Sequence, residues 1–176
     1  MKNKPIYKIS LIAIFTALIF ATTYFIAIPM PAGIGYVNLG DAFILLSAWI
    51  LGPLGCISAG IGAAFADLML GYALYAPATF IIKIVMSISS YYLFFLLKKF
   101  IRLPVNFILS AVCAEFVMIL GYFAFESILY SFLTASANVL FNLIQGFCSI
   151  VISNIIANIL FHNKTVLKYI DNLTQL

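Results

Sequence analysis

The sequence predicts an all-α integral membrane protein of six transmembrane helices with both termini cytoplasmic, one transmembrane domain over residues 1–176. Three features carry that expectation. Of the 176 residues, 65% are hydrophobic and only 8% are charged, against about 25% charged in an ordinary soluble domain. Mean hydropathy is +1.19. A soluble domain of about 150 residues buries only about 70% of the surface its chain exposes, so this much apolar surface needs lipid as its solvent. Second, the apolar residues form runs of about 20, the length that crosses roughly 30 Å of hydrocarbon. Third, Lys and Arg segregate to one side of those runs. The same composition excludes a disordered chain, a disulfide scaffold and a nucleic-acid binder. The formal net charge is +4, but the basic residues form no phosphate-tracking stripe.

The first helix, residues 9–28, follows Lys2, Lys4 and Lys8. That basic start imitates a signal peptide, yet no convincing cleavage site follows, and the run reads as a retained helix. The loop 29–40, PMPAGIGYVNLG, is too rich in Pro and Gly for a helix. It is expected outside, either as a lid over a ligand, with Tyr36 and Asn38 stacking and hydrogen bonding, or as a plain connection. Gly33 and Gly35 make no dinucleotide fingerprint, since no strand precedes them. Residues 41–70 are interrupted by Gly52-Pro53-Leu54-Gly55, a strong turn signal. They read as a helical hairpin with arms 41–51 and 54–70, the first arm short. Helices four, five and six follow at 77–97, 106–129 and 138–161, and the tail suggests a short interfacial helix.

With six spans, Lys2, Lys4, Lys8, Lys98, Lys99, Arg102, Lys164 and Lys168 share one face. The loops at 29–40, 71–76 and 130–137 carry no Lys or Arg. Cytoplasmic loops hold the basic residues, so both termini are cytoplasmic in a multi-pass plasma-membrane protein. A hairpin returns to the side it left, so the orientation does not depend on whether helix two spans fully.

Ionisable residues inside a membrane are costly and therefore functional candidates. At a rise of 1.5 Å per residue, Asp41, Asp67 and Glu126 fall near the outer surface, Lys83 about two turns below it and Glu115 near mid-membrane. Glu115, Tyr122 and Glu126 share one stripe of helix five. Asn138, Asn142 and Gln145 form a stripe on helix six, and Thr79, Lys83, Ser87 and Ser90 form one on helix four. Three polar stripes entering from the outer side predict a small-molecule pocket, with Met86, Met118 and Phe125 as candidate walls. The competing account pairs Lys83 with one Glu as a structural ion pair and treats the amides as glue between helices. Asn154 and Asn158 lie on the opposite face of helix six and suggest packing.

On helix one, Ala13, Ala17 and Ala21 recur every four residues, a groove for close approach of another helix. Internal packing and docking of a separate protein both fit it. In the second hairpin arm Gly55, Ala59, Gly62, Ala63 and Ala66 suggest close internal packing. Cys56, Cys113 and Cys148 are far apart in apolar stretches, with no CxxC or Cys/His pair, so neither a disulfide nor a metal site is expected. There is no GxxxxGK[ST], HExxH or GxSxG, and His162 is the sole histidine. No cofactor and no enzymatic activity are expected.

The layout, the stripe Ala13/Ala17/Ala21, the outer loop and the runs GYVNLGDAFILLSAWILGPLG (35–55) and ADLMLGYALYAPATFIIK (66–83) resemble the S component of energy-coupling-factor (ECF) vitamin transporters, over about residues 8–161. The chain is most similar to members assigned to pyridoxine, hydroxymethylpyrimidine and related small heteroaromatic compounds. The resemblance implies a subunit that captures a vitamin-like molecule outside and works with a transmembrane coupling subunit and two cytoplasmic ATPases. It also implies that Ala13, Ala17 and Ala21 contact the coupling subunit. Tyr36, Asn38, Lys83, Glu115, Tyr122, Glu126, Asn138, Asn142 and Gln145 are the candidate substrate-binding residues. A self-sufficient secondary carrier with Glu115 or Lys83 as a proton site is the alternative, and a ligand-free membrane scaffold is a third.

Overall fold

The computed structural model describes residues 4–30 and 35–163. Lys2, Lys164, Lys168, Asp171 and the expected interfacial helix lie outside the described residues, as do residues 31–34 of the expected lid. The described elements, in order, are α1 (Lys4–Phe25), β1 (Ile28–Pro29), β2 (Tyr36–Val37), α2 (Gly40–Leu51), a 3-10 turn (Gly52–Leu54), α3 (Gly55–Met69), α4 (Ala76–Leu97), α5 (Leu103–Leu129) and α6 (Phe132–His162).

The run 40–69 doubles back at Gly52, whose φ of 63° favours glycine. Ser47 Oγ lies 3.4 Å from Gly55 O, eight positions on, where a continuous helix would separate them by about 12 Å. The two arms meet so tightly that a Cβ on Gly55 would sit 2.6 Å from Ser47 O. At 12 and 15 residues, the arms are about 18 and 22 Å long, each shorter than the hydrocarbon layer. The runs long and apolar enough to cross a membrane among the described residues are five: Pro5–Phe25, Gly40–Met69, Ala76–Leu97, Leu103–Leu129 and Phe132–His162. The hairpin counts once among them although it is two helices.

α2 is the buried centre of the bundle, with Ile44, Leu45, Ala48 and Trp49 all inside. α3 presents small residues to its neighbours. A Cβ on Gly62 would lie 2.8 Å from Thr16 O, so only glycine permits this approach of α3 to α1, and Ser58 Oγ donates to Ile12 O at 3.0 Å across the same seam. α1 turns Phe15, Ile19 and Thr23 inward at four-residue spacing. At one end of the bundle Trp49, Phe94, Phe107 and Phe161 stack, with Phe94 and Phe107 centroids 5.2 Å apart and Trp49 Nε1 donating to Ser110. Ile81, Phe116, Phe147 and Ile159 face outward, as lipid contact requires.

Four boundaries depart from the sequence reading by three residues or more, and the first is the start of α1, at Lys4 instead of residue 9. α1 stops at Phe25 because Ile28 and Pro29 pair antiparallel with Val37 and Tyr36, so the expected irregular loop is anchored by a two-stranded ribbon. α6 starts at Phe132, six residues early, because Ser131 caps it by accepting from Thr134 N at 3.2 Å. α5 starts at Leu103 with Pro104 in its first turn, a position where the missing N–H costs nothing.

Candidate functional site

The cavity lies at the end of the bundle where α1, α3 and α5 finish and α2, α4 and α6 begin, opposite the aromatic stack and opposite Lys98, Lys99 and Arg102. Antiparallel packing brings Thr79 of α4 beside Tyr122 of α5, their hydroxyls 3.0 Å apart. One turn deeper Lys83 lies 5.3 Å from the Tyr122 ring centroid and 2.5 Å from Asp41 Oδ1. The other oxygen of Asp41 accepts from Gln145 Nε2 at 2.6 Å. Gln145 Oε1 in turn accepts from the Asn38 backbone N–H at 2.9 Å. Asn38 Oδ1 accepts from Gly40 N at 2.9 Å. A buried charge is tolerated only when paired and hydrogen bonded, and this chain of contacts from α4 through α2 and α6 to the loop meets that condition.

The loop closes this end of the bundle. Tyr36 Oη donates to Asp67 Oδ1 at 2.5 Å, and Tyr72 Oη donates to Gly35 O at 3.4 Å. Burial, reinforced by the Asp67 carboxylate, pushes the Tyr36 phenol far above its ordinary range, so it remains a donor. Tyr75, raised by burial first and by Tyr130 and Glu126 next, donates to Glu126 Oε1 at 3.4 Å. Asn138 Nδ2 donates to Glu126 Oε2 at 3.0 Å. The free space in the cavity is about 30 Å³, room for about two waters.

Of the sequence-predicted residues, Tyr36, Asn38, Lys83, Tyr122, Glu126, Asn142 and Gln145 line this cavity. Asn138 stands behind Glu126. Glu115 lies outside the lining, buried against Gly146 with neither oxygen hydrogen bonded among the described residues. The competing account had Lys83 paired with a Glu; its partner is Asp41 instead. The expected walls Met86 and Met118 are core residues instead. Asn154 is buried, as packing requires, and donates to Ile150 O of its own helix, whereas Asn158 is exposed and donates to Asn154 O. Cys56, Cys113 and Cys148 are free and half-buried.

Sequence reasoning did not single out Thr23, Met30, Gly35, Ala63 or Tyr75 as lining residues, and it had Asp67 only as an ionisable candidate near the outer surface. Asp67 carried a signal, a carboxylate closing an apolar run. Thr23 and Ala63 carried none, because small residues at helical spacing read as packing. Ala13 and Ala17 are exposed and Ala21 is half-buried. Packing inside the bundle, one of the two accounts of that stripe, is therefore excluded for Ala13 and Ala17.

Comparison with known proteins adds the family. The model of the ECF-type riboflavin transporter S component matches residues 3–162. The chain belongs to that S component family. A Pyrococcus woesei protein, described only as an uncharacterized protein in the gap 3' region, is 33% identical over 135 residues, 74% of this chain and 86% of its own length. A solved chain described as the structure and mechanism of the S component of a bacterial ECF transporter superposes with a TM-score of 0.64 at 18% identity, covering 89% of this chain and 96% of that one. That likeness shows the same fold. As an S component, the chain is a multi-pass plasma-membrane protein and the substrate-binding subunit of an ECF transporter. S components bind a vitamin-type substrate and associate with ECF partners; this is a transport subunit, not an enzyme.

Proposed function

We propose that this S component captures a small heteroaromatic vitamin-like compound of the pyridoxine or hydroxymethylpyrimidine class from the extracellular side, for ATP-driven uptake. The observation that carries the reading is the position of the cavity. It is lined by the outer stripes of α4, α5 and α6 together with the loop, at the end of the bundle opposite Lys98, Lys99 and Arg102. With basic residues on the cytoplasmic side, the cavity opens outward, both termini are cytoplasmic, and the hairpin arms make up helices two and three of six in a single domain. Tyr36, Asn38, Lys83, Tyr122, Glu126, Asn142 and Gln145 contact the ligand, with Asn138 and Glu115 as supports.

Ala13, Ala17 and Ala21 face away from the inward side of α1 and supply the groove for the transmembrane coupling subunit, which with two cytoplasmic ATPases completes the transporter. The free space in the cavity is about 30 Å³, so any such ligand displaces the loop, a single ring less than a flavin. Riboflavin is the second reading, favoured by the family's description. The test is a mass spectrum of what the purified protein retains, with calorimetric titration of pyridoxine, hydroxymethylpyrimidine and riboflavin. Retention or titration of a one-ring compound supports the class, and a protein that leaves purification carrying a flavin overturns it in favour of the second reading.

A further inference from the structure

The cavity is lined by more acid than base. Lys83 is its one cationic side chain among the described residues, whereas Asp67 and Glu126 are acids. Lys83 is already paired, 2.5 Å from the fully buried Asp41. Glu126 has both oxygens engaged, by Asn138 and Tyr75. Asp67 does not. Its Oδ1 accepts from Tyr36; Oδ2 is buried and makes no hydrogen bond of its own among the described residues, on a residue only 3% exposed, with the Thr79 hydroxyl and the already paired Lys83 as the other groups acting on this carboxylate. On α6, Asn142 Nδ2 is also buried and unpartnered, and it lines the same cavity. A buried acceptor and a buried donor left unmade each carry a desolvation cost. For a carboxylate that cost is relieved best by a charged donor, because charge-assisted hydrogen bonds are about twice as strong as neutral ones.

We infer that Asp67 is the charge anchor of this site, and that the substrate is a heteroaromatic compound bound as a cation, its N–H⁺ on Asp67 Oδ2 and an acceptor atom toward Asn142 Nδ2. The inference rests on reading the cavity as the vitamin site and narrows the chemistry of what enters it. A carboxylate-bearing vitamin would meet Asp67 and Glu126 with the one lysine already paired. A neutral flavin would leave Asp67 uncompensated. A cation supplies the missing charge and the missing donor together, and it does so beside the oxygen that holds Tyr36, so ligand and loop fasten to the same carboxylate.

The test uses the full chain in detergent and matched compounds differing in one group. Pyridoxamine carries an ammonium where pyridoxine carries a hydroxyl, and 4-amino-5-hydroxymethyl-2-methylpyrimidine has a 4-hydroxy counterpart. Riboflavin and pantothenate complete the panel. At least one amine is expected to bind more tightly than its hydroxyl counterpart by about tenfold or more, and that ratio should collapse to near unity in Asp67→Asn. In Tyr36→Phe, which loses the loop contact and keeps the charge, both affinities fall together and the ratio survives. A purely structural Asp67 would weaken both compounds equally and leave the ratio intact, which overturns the inference. So does tightest binding of riboflavin, pantothenate or a hydroxyl compound, or a ratio that collapses as fully in Tyr36→Phe. Of these, tightest binding of riboflavin or pantothenate also overturns the one-ring class proposed above, and the others leave that class standing. Binding of none of the six compounds removes the proposed function as well.

Discussion

Lys83 and Asp41 are 42 positions apart in the chain and 2.5 Å apart in the fold, and neither is exposed to more than 2% of its surface. Breaking such a pair from one side strands the other charge, at about 3–5 kcal/mol. Lys83→Met is therefore expected to lower the thermal unfolding temperature in detergent sharply, and Asp41→Asn added to it should recover most of the loss, since a neutralised pair is often no less stable than the ion pair. Two single variants that simply add in the double would refute the coupling. The polar stripes were legible because residues three and four apart share a helix face. The pairing was not. Helical phase placed Lys83 and Glu115 inward but held nothing about Asp41, which reaches Lys83 only because the hairpin inserts α2 at the centre of the bundle. Asp67, visible as an acid at a helix end, becomes a cavity residue only when the chain folds Tyr36 back over it.

The hairpin depends on Gly55. Its position fits only a hydrogen, since any Cβ would meet Ser47 O at 2.6 Å, and backbone cannot yield as a flexible side chain can. Gly55→Ala should destabilise the protein by about 1–3 kcal/mol, the usual cost of overpacking, read as a lower unfolding temperature. An unchanged temperature would mean that the arms are less tightly joined than this. Glycine and proline at 52–55 made the turn legible in the sequence, and the ends of α2 and α3 fell within a residue or two of expectation. The loop was read only by composition. Its short ribbon escaped because two paired residues, Ile28–Pro29 with Tyr36–Val37, are too few to show alternation, and their register depends on contacts with Tyr72 and Asp67 far along the chain.

At the scale of the molecule, orientation and docking follow from how the faces are distributed. Cysteine at the exposed Ser136 should react with an impermeant thiol reagent from outside intact cells, and cysteine at Asn163 should not, in a background with Cys56, Cys113 and Cys148 replaced; labelling at Asn163 would reverse the orientation. Docking makes the more searching test. α1 commits one side to the bundle, with Phe15, Ile19 and Thr23 buried and Gly62 of α3 pressed against Thr16 O. Ala13 and Ala17 lie on the other side, exposed, with nothing to overpack among the described residues. Helix backbones approach closely where side chains are small, so a leucine at Ala17 would hold a partner helix off while leaving the isolated fold untouched. Ala17→Leu is thus expected to keep its unfolding temperature and its ligand affinity, because the cavity is lined on α1 by Thr23, well over a turn away. Uptake by cells carrying the complete transporter should nevertheless fall sharply. Loss of binding together with uptake would mean that the stripe supports the fold itself, and undiminished uptake would place the coupling subunit on another face.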